Sequence, residues 1–380
     1  MFDFTLPQSA TRYETLRQEV RTFLREAAAA GHFTPSCSGW MVANRRFSLM
    51  CGQRGYIGMT WPKEYGGGAR SNMERYIVAE EMLAAGAPVG AHWIADRQSG
   101  PQILRHGSEE LRRRVLPGIA KGEICFAIGM SEPDAGSDLA AIRSRAVRTD
   151  EGWRLHGRKI WTTNAHIADY MIGLFRTAPL DPEHRHHGMT QFVIPMNAPG
   201  VTVRQIESSA GHHEFNEVTF DDVFVPDSHV IGEPGEGWRL VTAELQLERS
   251  GPERFLSVFP LMESAARQNG SSVREPAWIA FGSLIAHIST LREMSMSVAA
   301  RLDTNTDVAT EAALIKDLGN ALEQRTPNVL RKALGTTPLR HDDDYAAMLA
   351  EAILCAPSFT LRGGTPQILR GIIARALGLS

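Results

Sequence analysis

Apolar residues recur at helical spacing early in the chain. Between Tyr13 and Leu24, the residues Leu16, Val20, Phe23 and Leu24 fall on one stripe, which predicts an amphipathic helix. The pattern returns between Asn72 and Leu83, where Ser71 stands at an N-cap and Glu74 at the third helical position of a capping box. Between these two helices, Trp61-Pro62-Lys63-Glu64-Tyr65-Gly66-Gly67-Gly68 carries so much Pro and Gly that it reads as a turn or loop. From about residue 121 the texture changes. Gly152–Gly157, Gln191–Pro195 and Glu217–Pro226 read as short strands bounded by Pro, Gly and Asp, with no helical pattern between them. That spacing predicts a small antiparallel barrel or sandwich. From Gly235 onward helices return, over Trp238–Glu248, Ser283–Leu302, Thr310–Leu322 and Asp344–Leu354. The expected fold class is α+β, mostly α. It comprises an N-terminal helical domain over 1–120, a central antiparallel β-barrel domain over 121–232 and a C-terminal four-helix bundle over 233–380.

Composition narrows the picture. At 380 residues the chain has room for two or three domains, and 43% hydrophobic with 22% charged residues describes an ordinary globular protein. A net charge of -3 gives no reason to expect nucleic acid or an anionic membrane as partner. The N-terminus lacks a basic region followed by an apolar run, and no apolar run is long enough to span a bilayer. The expected location is cytoplasmic. Cys37, Cys51, Cys125 and Cys355 are scattered without a CxxC pair, which predicts buried, reduced thiols and neither a disulfide framework nor a zinc site. His184, His186 and His187 sit beside Pro182 and Gly188 with no ligand spacing, and read as a polar loop rather than a metal site.

The chemistry lies in two segments. Met130-Ser131-Glu132-Pro133-Asp134-Ala135-Gly136-Ser137-Asp138 is followed by Lys159-Ile160-Trp161-Thr162-Thr163-Asn164. Two hydroxyl-bearing segments with a Trp between them suit a large, flat, polar-edged cofactor such as a flavin. Ser131 and Thr163 are placed to donate to its edge, and Trp161 to cover a face. Glu132-Pro133 sets the chain direction, and Gly136 allows a turn.

These segments resemble those of the acyl-CoA dehydrogenase family, and the resemblance covers nearly the whole chain. Gly55-Tyr56-Ile57-Gly58-Met59-Thr60-Trp61-Pro62 with Tyr65-Gly66-Gly67 resembles the family's N-terminal signature, and so does Leu116-Pro117-Gly118-Ile119-Ala120-Lys121-Gly122-Glu123. Asp221-Asp222-Val223-Phe224-Val225-Pro226, then Gly235-Glu236-Gly237-Trp238, resembles the exit from the β domain. Gly363-Gly364-Thr365-Pro366-Gln367-Ile368-Leu369-Arg370 resembles the closing signature. The resemblance implies FAD as cofactor and an acyl-CoA thioester as substrate, oxidised to the trans-2-enoyl thioester by loss of an α proton and a β hydride. It implies that Met130, Ser131, Trp161, Thr163 and Thr365 line the flavin. Ser137 and Arg249 would lie near the substrate, and electron-transfer flavoprotein would receive the electrons.

The commonest family arrangement places the base immediately before the Gly-Thr of the closing signature. Here that residue is Gly363, which has no side chain. A minority, including isovaleryl-CoA and long-chain enzymes, carries it on the first C-terminal helix directly before an Arg. Leu245-Gln246-Leu247-Glu248-Arg249 fits that second pattern, so Glu248 is the expected general base, with Glu244 one turn earlier as the reserve. Without the resemblance, Glu248 reads as a helix-surface residue paired with Arg249 or another neighbour.

Two expected features are missing. The family's Arg-x-x-Phe-Gly segment, which reaches the flavin diphosphate of a neighbouring subunit, is replaced by Ser272-Val273-Arg274-Glu275-Pro276-Ala277-Trp278-Ile279. A Gln-x-x-Gly-Gly stretch gives way to Gly335-Thr336-Thr337-Pro338 and His341-Asp342-Asp343-Asp344. This departure resembles the paired subunits of actinobacterial steroid side-chain dehydrogenases, which assemble as α2β2 tetramers, and this chain would be the base-bearing member. The alternatives are a homotetramer that holds FAD through Arg274 or Arg292, a non-catalytic or FAD-poor partner subunit, and a family-fold biosynthetic enzyme such as an acyl-carrier-protein dehydrogenase or a monooxygenase.

Overall fold

The computed structural model describes residues 2–4, 10–269, 275–304, 306–334, 344–361 and 363–379, with the side chains at 10, 11, 245–248, 268, 269 and 276 outside the description. The helices are α1 (Glu14–Ala29), α2 (Arg45–Gln53), α3 (Asn72–Ala84), α4 (Gly90–Ile94), α5 (Gly100–His106), α6 (Glu109–Ala120), α7 (Gly237–Arg249), α8 (Phe259–Asn269), α9 (Glu275–Leu302), α10 (Ala309–Leu334), α11 (Asp344–Cys355) and α12 (Pro366–Ala376). The strands are β1 (Phe126–Gly129), β2 (Arg145–Arg148), β3 (Gly152–Thr163), β4 (Tyr170–Arg176), β5 (Met189–Pro195), β6 (Val201–Ile206), β7 (Phe215–Pro226) and β8 (Val230–Ile231). The chain divides into two compact units. One comprises Met1–Trp40, Ser71–Pro88 and Gln246–Ser380, and the other Met41–Arg70 and Val89–Leu245. Helices dominate and a single sheet accompanies them, so the fold is α+β, mostly α.

The first unit is helical. On α1, Val20, Phe23, Leu24 and Ala27 are buried, while Leu16 packs at the edge of a cluster formed by Met73, Tyr76, Ile77, Met296 and Ala299. Helix α3 starts with the expected capping box, Ser71 N–H donating to Glu74 Oε2 at 2.9 Å and Glu74 N–H to Ser71 Oγ at 3.2 Å. The same helix buries two acids. Glu80 pairs with Arg17 and with Arg292 of α9, each at 2.7 Å, and Glu81 pairs with Arg21 at 2.7 Å and with Arg17. Charges of this kind are tolerated inside a protein only when each meets its opposite, so these pairs fix how α1, α3 and α9 register.

The second unit is built on the sheet, in the order β6-β7-β3-β2-β4-β5-β8, with β1 pairing β4. Antiparallel pairing predominates, but β1 and β2 each run parallel to β4. The roughly forty residues between β1 and β4, which include the β2–β3 hairpin, allow the crossover that a parallel pair needs. Trp153, Phe175, Phe192, Val218 and Phe220 fill the core on one face. In the same unit α4 runs into α5 through a π-helical segment, Ala95–Ser99. The loop expected at 61–68 contains a short 3-10 turn, Lys63–Tyr65, closed by Gly66 at φ +83°. Trp61 from this loop is buried against Gly100, where any Cβ would lie 2.2 Å from the indole. All four cysteines are free and buried, and burial pushes the Cys125 thiol up to about 11. Among the described residues, no helix is long and apolar enough to cross a membrane.

Candidate functional site

The two chemistry-bearing segments meet in the sheet unit. Strand β1 delivers the chain to Met130 and Ser131, and the Ser131 carbonyl accepts a hydrogen bond from Ile160 N–H of β3 at 2.9 Å. Strand β3 pairs with β7, but the register shifts between Lys159 and Thr162. In a regular strand, residues 159 and 161 would share a face. Here Lys159 is wholly buried while the Trp161 indole is 56% exposed, because the bulge and a left-handed backbone at Trp161 (φ +59°) swing the ring outward. The ring meets Phe215 edge-on at 5.9 Å. A large aromatic residue both exposed and held at positive φ is a strained arrangement of the kind that clusters at ligand sites. Thr163 follows on β3 opposite Phe215, and both Ser131 and Thr163 are half-buried.

Below this surface lies a buried ion pair. Lys159 Nζ donates to Glu132 Oε1 at 2.7 Å and to the Met130 carbonyl at 3.2 Å. The Glu132 carboxylate also accepts from Arg143 N–H at 2.7 Å and Ser144 N–H at 3.0 Å. Burial pushes the Lys159 ammonium below its usual range, against the opposing pull of the Glu132 carboxylate. In the sequence Glu132 counts only for the chain direction it sets with Pro133, and Lys159 for nothing, since a buried lysine has no sequence signature.

Ser137 is exposed, in the turn that follows, and the neighbouring Asp138 pairs with Arg185 at 2.7 Å. In the same unit Glu244 of α7 is buried, its two oxygens facing Gln98 Nε2 and Gln191 Nε2, each at 3.4 Å. Gln98 belongs to the π-helical segment, and Gln102, one turn on, donates to the Leu240 carbonyl at 2.8 Å. The histidine loop is exposed, apart from a stack of His186 on Trp238 at 4.0 Å.

The remaining site residues lie in the helical unit. Arg249 is buried, with Nε donating to the Gly363 carbonyl at 3.0 Å. Lys316 Nζ of α10 donates to the Gly364 carbonyl at 2.9 Å. Thr365 occupies the N-cap of α12, and its hydroxyl makes no capping bond. Arg292 is engaged with Glu80. Glu248 belongs to α7, but its side chain lies outside the described residues, as does Arg274.

The acyl-CoA dehydrogenase N-terminal domain model matches residues 11–123, and the acyl-CoA dehydrogenase middle domain model matches 127–223. The acyl-CoA dehydrogenase FadE26 of Mycobacterium tuberculosis is 30% identical, with 96% of each chain covered. Among solved structures, the Tcur3481-Tcur3483 steroid ACAD superposes with a TM-score of 0.86 at 27% identity, covering 100% of both chains. The ChsE4-ChsE5 complex from Mycobacterium tuberculosis gives a TM-score of 0.83 at 28% identity, over 99% of this chain and 100% of that one.

Proposed function

Since the chain belongs to the acyl-CoA dehydrogenase family of oxidoreductases, we propose that it oxidises an acyl-CoA thioester to the trans-2-enoyl thioester with FAD as cofactor and Glu248 as general base. The observation that carries the cofactor is Trp161, an exposed indole held in a strained backbone beside Thr163 and the docked Met130–Ser131 segment. Those residues fit a flavin: hydroxyls to donate to its polar edge, and an aromatic surface to cover it. When bound, FAD accepts the β hydrogen with its electron pair.

The chain's own residues carry the proton. An α C–H is a weak acid, so its removal needs a carboxylate made more basic by burial and a thioester oxygen that receives hydrogen bonds as charge develops on it. Gly363 has no side chain to serve, whereas Glu248 stands directly before Arg249 on a bundle helix. Met130 and Thr365 join the proposed flavin lining, Ser137 and Arg249 the substrate side, and electron-transfer flavoprotein the electron exit.

The substrate class proposed is a steroid side-chain thioester, and the assembly a tetramer with a related subunit. A similar solved structure is named a steroid ACAD, and another is a complex of two named chains. The replaced diphosphate-reaching segments support a partner that completes the flavin site. The test is a screen of acyl-CoA thioesters, straight, branched and steroid, with and without a co-expressed related subunit. Dehydrogenation of none of them, with FAD bound, overturns the reading.

A further inference from the structure

We infer that Lys159 is a positioning residue for the cofactor: from inside the sheet unit it turns the Met130–Ser131 peptide so that the Ser131 N–H points toward the flavin site. This rests on FAD being the cofactor. A trans peptide holds its C=O and N–H on opposite edges. Because the Met130 carbonyl accepts from the buried Lys159 ammonium, the Ser131 N–H is directed to the opposite edge of that peptide, away from the buried ion pair. The carbonyl of the next peptide, that of Ser131, is held by Ile160 N–H, so the peptides on both sides of Ser131 are fixed.

Glu132 is what keeps Lys159 in place. Its carboxylate is anchored by the Arg143 and Ser144 N–H groups and takes the ammonium at 2.7 Å. The Phe175 ring lies 5.1 Å from the same nitrogen, an added attraction for a cation. A buried ion pair is a poor source of net stability, since two well-packed apolar residues usually serve the fold as well. Its worth here is orientation. The ammonium reaches a main-chain carbonyl that no apolar side chain could hold, and it does so two residues before the exposed Trp161, on the inward side of the same bulge.

The experiment compares wild type, Lys159→Met and the double variant Lys159→Met/Glu132→Leu, each freed of flavin and titrated with FAD by fluorescence, with the thermal midpoint of each apoprotein measured alongside. Lys159→Met strands a buried carboxylate, so both stability and FAD affinity fall. The double variant removes both charges. Its apoprotein midpoint is expected to return to within a few degrees of wild type, while FAD binding stays at least tenfold weaker. A double variant that regains both stability and FAD affinity shows a purely structural pair and overturns the inference alone. Wild type that binds no FAD, alone or with its partner subunit, overturns the cofactor reading as well. Should the double variant not fold, Lys159→Leu/Glu132→Met takes its place, with the same two outcomes read from the same titration.

Discussion

Arg249 Nε donates to the carbonyl oxygen of Gly363 at 3.0 Å, while the fully buried Lys316 ammonium holds the next carbonyl, that of Gly364, at 2.9 Å. Two cations thus clamp the backbone where the commonest family arrangement carries its base. Both glycines adopt positive φ, +65° and +106°, a conformation that a side chain would strain. Asn320 lies between Lys316 and Phe359, and with its amide turned so that both bonds form, its oxygen accepts from Lys316 Nζ at 3.0 Å and its nitrogen donates to the Phe359 carbonyl. Replacing Lys316 with Met leaves the half-buried Gly364 carbonyl without its donor and should cost about 1 kcal/mol of stability. Because Thr365 follows directly, turnover should fall as well. Thermal unfolding and steady-state kinetics check both. An unchanged midpoint and unchanged kcat would mean that the closing loop is held by other contacts.

Glu248→Gln tests the base directly. The amide keeps the size of the side chain but cannot take a proton, so turnover should fall by about three orders of magnitude or more, the upper end of general-base contributions. Flavin content, read from the absorbance of the purified protein, should stay the same. Glu244→Gln is the matching control, because the buried Glu244 accepts from Gln98 and Gln191, and the amide loses the charge and one of those two acceptors. If Glu244→Gln abolishes turnover and Glu248→Gln does not, the two roles are exchanged.

Local signals made part of this legible in the sequence. The α1 stripe and the Ser71–Glu74 capping box depend on residues within one or two turns of each other, and both form as read. The segments carrying Trp161 and Ser131 have a recognisable pattern, and the bond from Ile160 N–H to the Ser131 carbonyl brings them together. The distant partners of the candidate residues were not legible. Lys159 meets Glu132 across 27 residues, Glu244 meets Gln98 across 146, and Arg249 meets Gly363 across 114. Such partners are fixed by strand register, a β-bulge and a π-helical turn. None of these leaves a periodic trace in the chain.

Trp161 should show a separation between stability and binding. Its exposed ring loses little packing if removed, apart from the edge-on contact with Phe215, worth about 1 kcal/mol. Against that, Asn tolerates the left-handed conformation far better than Trp and relieves strain of about 1 kcal/mol. The two effects nearly cancel, so the apoprotein of Trp161→Asn should melt within a few degrees of wild type. FAD affinity should nevertheless fall by at least tenfold, as read by fluorescence titration. A variant that binds FAD as tightly as wild type removes Trp161 from the cofactor surface.

His92 gives the molecule a defined acid sensitivity. It is buried in the sheet unit with Nδ1 2.8 Å from Ser48 Oγ, and burial pushes it from 6.5 down to about 4. The folded protein therefore keeps the ring neutral in a range where the unfolded chain protonates it. Between pH 6.5 and 4 the unfolded state binds the extra proton, so stability is lost as pH falls through that window and the loss stops below about 4. The full shift corresponds to about 3 kcal/mol. His92→Gln keeps a hydrogen-bonding group beside Ser48 but cannot titrate. Urea unfolding at pH 7, 5.5 and 4.5 should show wild type losing stability faster than this variant on acidification, whatever the carboxylates common to both contribute. Parallel curves for the two proteins would place the His92 ring in contact with water and remove it as the source of acid sensitivity.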